Sequence, residues 1–159
     1  MLFRSAEALK GAALGRRVLL VSEDDRAAPL IVAEHLAGLG HEVTLIYRTT
    51  APSPLVGKYN IGAILARLDD QGVTLRPVTR LVSLEPGNRI TLANSYSDRQ
   101  FPIEGIDSVV LACGAIPDDS LFIELKAAGI DAHLLGDAFA PRRVVSATRQ
   151  AWSLAQLLD

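Results

Sequence analysis

Cysteine is almost missing from this sequence: Cys113 stands alone among 159 residues. One thiol excludes an internal disulfide and an all-cysteine metal site, and such sparing use of cysteine makes the cytoplasm the expected compartment. No apolar run approaches the roughly 18 residues of a membrane-spanning helix. The opening MLFRSAEALKGAALG is broken by Glu7 and Lys10 and does not read as a secretory signal. A surplus of basic charge is also missing. The formal net charge of -2 gives no general pull toward nucleic acid or an anionic membrane, so neither is expected as a partner. His35, His41 and His133 have no ligand spacing, and no metal site is expected. There is no repeat, catalytic triad, P-loop or paired-carboxylate site. What remains is 49% hydrophobic and only 5% aromatic, the composition of an Ala-, Val- and Leu-rich α/β chain able to bury a core.

The pattern along the chain is α/β as well. Val18 to Ser22 opens with four consecutive apolar residues, as in a strand covered on both faces. Residues 27 to 39 carry Ala28, Val32, Leu36 and Leu39 at helical spacing, and Gly40 stops them. Glu42 to Arg48 is a second strand, so the unit is βαβ with parallel strands. A loop over 49–60 leads to a helix with Ile61, Ile64, Leu65 and Leu68 on one face, closed by Gly72. A short strand, Val73 to Leu75, follows. Pieces at 77–84, 88–93 and 99–103, separated by Pro86-Gly87-Asn88 and Asn94-Ser95, read as an antiparallel β-meander. Ile106 to Cys113 is another buried strand, with Cys113 as a small core residue. A helix over 118–128 has Asp118 or Asp119 as its cap and Gly129 as its stop. Ala132 to Leu135 reads as a last strand, and Pro141 opens a final helix. Val144, Thr148, Ala151, Ala155 and Leu158 line one face of that helix, with Val145 and Trp152 beside it. Trp152 is expected to anchor against the sheet or another domain.

Glycine is missing where it would matter most. Between the first strand and its helix the chain reads Ser22-Glu23-Asp24-Asp25-Arg26-Ala27. A pyrophosphate-binding elbow needs glycines, because the chain must turn tightly and its N–H groups must reach phosphate with no Cβ in the way. The three glycine positions fall near Ser22, Asp24 and Ala27. The carboxylates of Glu23, Asp24 and Asp25 instead read as an acidic helix start, occupying the positive niche that phosphate would use. The acid that would hold a ribose after the second strand is also missing. Tyr47-Arg48 stand there, and without the loop Arg48 alone does not make a 2′-phosphate site.

Two local motifs carry a resemblance. Asp107-Ser108-Val109-Val110-Leu111-Ala112-Cys113-Gly114-Ala115-Ile116-Pro117 resembles the crossover strand of two-dinucleotide-fold flavoproteins, with Cys113 where Thr is usual. Leu134-Leu135-Gly136-Asp137-Ala138 resembles their terminal strand, whose Asp holds the ribitol of FAD. With the following Pro141-Arg142, the chain is similar to the C-terminal FAD/NAD(P)-binding-like region of the NADH:flavin oxidoreductase family, in its branch of trimethylamine dehydrogenase and dienoyl-CoA reductase. That resemblance implies a three-layer, Rossmann-like, mainly parallel sheet with a β-meander crossover. It implies a lead-in at 1–14, a degenerate NAD(P)-binding-like domain at 15–114, and the C-terminal portion of a FAD/ADP-binding-like domain at 115–159. It implies cofactor contacts with FAD or ADP at Gly114, Gly136, Asp137, Ala138 and Arg142, no catalytic residue in this segment, and no tightly bound cofactor. FMN, a 4Fe-4S cluster and a TIM barrel belong to the N-terminal part of the full-length enzymes, and that part, with the other half of the flavin domain, is the implied partner. The chain is therefore expected to be a C-terminal fragment or a stand-alone descendant of such an enzyme.

Two other readings stay open at the level of sequence. One is a non-catalytic interaction module in which the dinucleotide fold joins two copies as a homodimer. The other is a receiver-like signalling domain, whose acidic first elbow would hold Mg²⁺. The second lacks a strand-final Asp and Lys: Asp69 and Asp70 sit at a helix end, and Lys126 lies within a helix.

Overall fold

The computed structural model describes residues 1–87 and 89–158. The chain forms two units, Met1–Cys113 and Gly114–Asp159. The first contains strand β1 (Leu2–Arg4), helix α1 (Ser5–Leu9), β2 (Arg17–Ser22), α2 (Ala28–Gly38), β3 (Glu42–Tyr47), α3 (Lys58–Asp70), β4 (Thr74–Arg76), β5 (Thr79–Glu85), β6 (Arg89–Asn94), β7 (Gln100–Ile103) and β8 (Ser108–Ala112). Strands β1-β8-β2-β3-β4 form a parallel sheet in that order, and β5-β6-β7 form a separate antiparallel one. Taken from β4 to β8 the order is 3-2-1-4 of a dinucleotide fold, not the 2-1-3-4-5 of a receiver. The stretch expected as a lead-in supplies the edge: Leu2, Phe3 and Arg4 pair with Val109, Val110 and Leu111.

The strict alternation of a strand explains the layers. In β2, Val18 and Leu20 join Leu30, Ala33, Leu36, Leu45 and Leu68 on the helical side. Leu19 and Val21 turn the other way, toward Ile46, Val109, Ile90 and Leu92, and Phe101 packs on that second cluster. The meander is thus the third layer, covering a face that helices cover in many parallel sheets. This is why β2 is apolar at every position from Val18 to Val21. Each fully buried leucine contributes about 1.5–3 kcal/mol relative to exposure.

Element boundaries differ from the sequence expectation in ways that packing explains. In α2 the buried residues are Pro29, Leu30, Val32, Ala33 and Leu36, whereas Ala28 is exposed and Leu39 is 61% exposed. Helix α3 begins at Lys58, inside the expected loop, and keeps Ile61, Ile64, Leu65 and Leu68 against the core. The β6–β7 turn is an Asx turn, with Asn94 Oδ1 accepting the N–H groups of Tyr96 at 3.0 Å and Ser97 at 2.9 Å. In the preceding hairpin Pro86 and Gly87 are turn residues, and Asn88 lies outside the described residues. β8 ends at Ala112, so Cys113 is exposed rather than in the core.

The second unit holds α4 (Ser120–Ala127), a 3₁₀ turn at Gly136–Ala138 and α5 (Val144–Ala155). Asp118, not Asp119, supports the start of α4: its Oδ1 accepts from the Ser120 N–H at 3.2 Å and the Ser120 hydroxyl at 2.6 Å. Ala132 to Leu135 is not a strand. A strand needs a ladder partner for its N–H and C=O groups, and no described strand lies in this unit. α5 starts at Val144, beyond Pro141, and packs the opposite face to the one expected. Ser146, Ala147, Gln150 and Leu154 are half-buried, while Val144, Trp152 and Leu158 are exposed. On the packed face Gln150 Oε1 accepts the Gly136 N–H at 2.9 Å.

Candidate functional site

An open parallel sheet binds ligands beyond the carboxyl ends of its strands, where the strand order reverses. Here that place lies between β2 and β8. The β2–β8 ladder runs up to it: the Glu23 N–H donates to Ala112 O at 3.1 Å, the last bond of the parallel pairing. The elbow then clamps its own charge. Asp24 Oδ1 accepts from the backbone N–H and the Nε–H of Arg26, both at 2.9 Å, and Oδ2 accepts Nη2–H at 3.1 Å. This is a two-pronged carboxylate–guanidinium pair, the strong form of such contacts. Burial works to raise the Asp24 carboxyl, and the hydrogen bonds and charge of Arg26 outweigh it, so the group is held below the usual carboxylate range.

Glu23 at the elbow is engaged as well. Arg48 donates to Glu23 at 3.3 Å, so the residue at the ribose position answers the elbow's own acid. The 48–57 loop folds toward the elbow, with the Leu55 N–H donating to Asp25 O at 2.9 Å. The acids do not form a helix start, contrary to the sequence expectation. Ala27 is the N-cap of α2, no side chain caps it, and no acid lies in its first turn. Pro29 in that turn has no N–H to offer an anion. The elbow offers a phosphate no glycine backbone, and its most buried carboxylate is held in place by an internal cation.

The Cys113 thiol lies just past β8, donating weakly to Val21 O at 4.0 Å. The residue as a whole is exposed, but partial burial of its sulfur and then the negative charge of Glu23 push the thiol above its ordinary value, which disfavours the thiolate at neutral pH. A groove of about 650 Å³ in the first unit includes His41, Glu42, Thr44, Gln71, Thr74 and Glu104. It lies at the amino ends of β3 and β4, the end away from ligand sites in such sheets. Among the described residues no group of three or more His, Cys, Asp or Glu is placed to hold a metal.

The flavin-contact residues expected from the sequence lie in the second unit, and three of them form one turn. Gly136 has φ +65°, a left-handed conformation that favours glycine, and an added Cβ would meet Ala147 Cβ at 3.7 Å. Asp137 and Ala138 complete the 3₁₀ turn, and Asp137 Oδ1 accepts the Arg142 N–H at 3.4 Å. The Arg142 side chain is exposed. Gly114 has φ +80°, a conformation that favours glycine, and an added Cβ there would meet no atom of this chain within 4 Å. Sequence reasoning missed a groove of about 420 Å³ beside this turn, lined by Leu134, Leu135, Phe139, Leu154, Leu157 and Arg149 among others. Its signal in the sequence was the apolar pair Leu134-Leu135 spaced against Leu154 and Leu157, which periodicity within one element does not reveal.

No protein-family model matches this sequence, and no curated protein does either. Solved structures do match. Histamine dehydrogenase from Rhizobium sp. 4-9 matches with a TM-score of 0.86 and 24% identity, over 100% of this chain and 26% of that one. A 2-naphthoyl-CoA reductase matches with a TM-score of 0.75 and 21% identity, over 92% of this chain and 22% of that one. The HOCl-induced flavoprotein disulfide reductase RclA from Escherichia coli matches with a TM-score of 0.63 and 17% identity, over 99% of this chain and 39% of that one. The chain therefore spans about a quarter of the first two solved chains and two-fifths of the third. At these identities the likeness is one of fold: this chain has the Rossmann-like α/β fold that occurs as one part of longer oxidoreductases.

Proposed function

We propose that this chain is the C-terminal nucleotide-binding-like portion of a multidomain flavin-dependent oxidoreductase of the NADH:flavin oxidoreductase type, serving mainly as scaffold. The observation that carries the scaffold reading is the Asp24–Arg26 clamp, a side-chain ion pair in the elbow where a pyrophosphate-binding turn has glycine backbone. NAD(P)H does not fit such an elbow, and no hydride step is assigned to it. The flavin reading is supported by the Gly136-Asp137-Ala138 turn. Its exposed carboxylate is of the right chemistry to accept a ribitol or ribose hydroxyl, with Arg142 near enough in sequence to meet a phosphate. When bound, FAD would supply the redox chemistry, and this chain would only hold it.

The test is calorimetric titration of the purified chain with NADH and NADPH, together with amide shift mapping on adding ADP. No measurable NAD(P)H binding is expected, with any ADP-induced shifts confined to Gly136–Arg142. Micromolar affinity for either nicotinamide nucleotide, or shifts centred on Ser22–Ala27, would reject the scaffold reading.

A further inference from the structure

Strain and unmet polarity gather at the carboxyl end of the parallel sheet. Val78 joins β4 to β5 with φ +53°, a conformation that β-branched side chains rarely adopt. Ser53, in the loop after β3, is left-handed too, with φ +47°. Ser53 is 3% exposed, and its hydroxyl has no hydrogen-bond partner among the described residues. The buried hydroxyl of Ser95, just past β6, has none either. A folded arrangement keeps such costs only where its other contacts outweigh them.

Those contacts tie separate segments of the chain together. The Val78 N–H donates to Thr49 O at 3.1 Å, and the Ser95 N–H donates to Val78 O at 2.9 Å. Val78 thus uses both of its backbone groups to bridge the loop after β3 and the turn after β6. The same loop is fastened to the elbow at two further points: the Leu55 N–H donates to Asp25 O at 2.9 Å, and Arg48 donates to Glu23 at 3.3 Å. Starting at the end of β3, the loop therefore reaches the connection after β4 and the connection after β2. This is the end of the sheet at which such folds take ligands. Of residues 48–57 only Pro52 and Ser53 are buried, and a segment with so little buried surface opens at low cost.

We propose that residues 48–57 form a strap at the carboxyl end of the sheet that opens together with the β4–β5 joint and the β6–β7 turn, and that Val78 is the strained joint that sets how often it opens. On opening, Val78 relaxes to extended backbone, the Ser53 and Ser95 hydroxyls gain water, and the elbow loses its contacts with Leu55 and Arg48. Access to the elbow is then governed by the strap and not by the elbow alone. The device goes beyond the scaffold reading and does not depend on it, because no nucleotide takes part.

Native-state hydrogen exchange of the 159-residue chain, followed amide by amide in NMR spectra, tests the proposal. The Leu55, Val78 and Ser95 amides should share one opening equilibrium, populated at least about tenfold more than the opening that exposes β3. Asn tolerates a left-handed φ where Val does not, so Val78→Asn should raise the protection of all three amides by about tenfold. Arg48→Gln removes the pair with Glu23 and should lower all three by about threefold, with the circular dichroism of the wild type. A strap protected as strongly as β3, or opening equilibria that differ by more than about tenfold among the three amides, would overturn it. So would a Val78→Asn effect confined to Val78, or an Arg48→Gln chain in which Val78 and Ser95 are unmoved.

Discussion

Asp24 shows how much of this molecule's character rests on one side chain. Its carboxylate is held below the usual range, so its stabilising contribution is complete above the carboxyl's unfolded value, near 3.9. That contribution is lost as the pH falls through the lower folded value. Asp24→Asn should therefore cost about 1 kcal/mol at neutral pH, kept modest because Arg26 is partly solvated. The difference from wild type should shrink as the pH falls below the unfolded value and through the lower folded one, as urea denaturation along a descending pH series would record. Cys113 tests the same local field with opposite sign. Burial and Glu23 raise its thiol, so iodoacetamide should alkylate it more slowly at neutral pH than free cysteine. Glu23→Gln should speed that reaction and shift its pH–rate profile toward lower pH. Neither effect can be read from residue order alone, because Glu23 reaches Cys113 only once β2 and β8 are paired.

At the scale of elements, β2 organises the first unit. It has β3 on one side and β8 on the other, with a helical layer and the meander on its two faces. Leu20→Ala removes a fully buried side chain from the helical side and should cost about 2–5 kcal/mol in urea denaturation. Gly15 precedes this strand where a Cβ would overlap the Cβ of Asp107, and its N–H donates to Ser108 Oγ at 2.9 Å. Gly15→Ala should cost about 1–3 kcal/mol, because a backbone-anchored atom cannot simply swing away. The βαβ unit and the meander were legible in the sequence because period 3.6 and period 2 are imposed by local geometry. The role of Leu2–Arg4 was not legible, since a three-residue edge strand owes its existence to a neighbour more than a hundred residues away. Ala132 to Leu135 erred in the other direction: apolar residues permit a strand, but only a ladder partner makes one.

For the whole molecule, the two units should differ sharply in protection. Amides in β2, β3 and β8 should exchange near the global unfolding limit, whereas those of α4 and α5 should exchange orders of magnitude faster. Hydrogen-exchange mass spectrometry measures this directly; equal protection in both units would contradict the burial pattern. The sequence by itself determined the α/β class, the parallel core and the absence of a glycine elbow, because each follows from local periodicity or from the steric needs of a single residue type. Tertiary structure alone decided that Arg48 answers Glu23, which face of α5 packs, and that the meander forms the third layer. Those outcomes depend on which charges and surfaces distant segments bring together, and no local pattern encodes a distance in space.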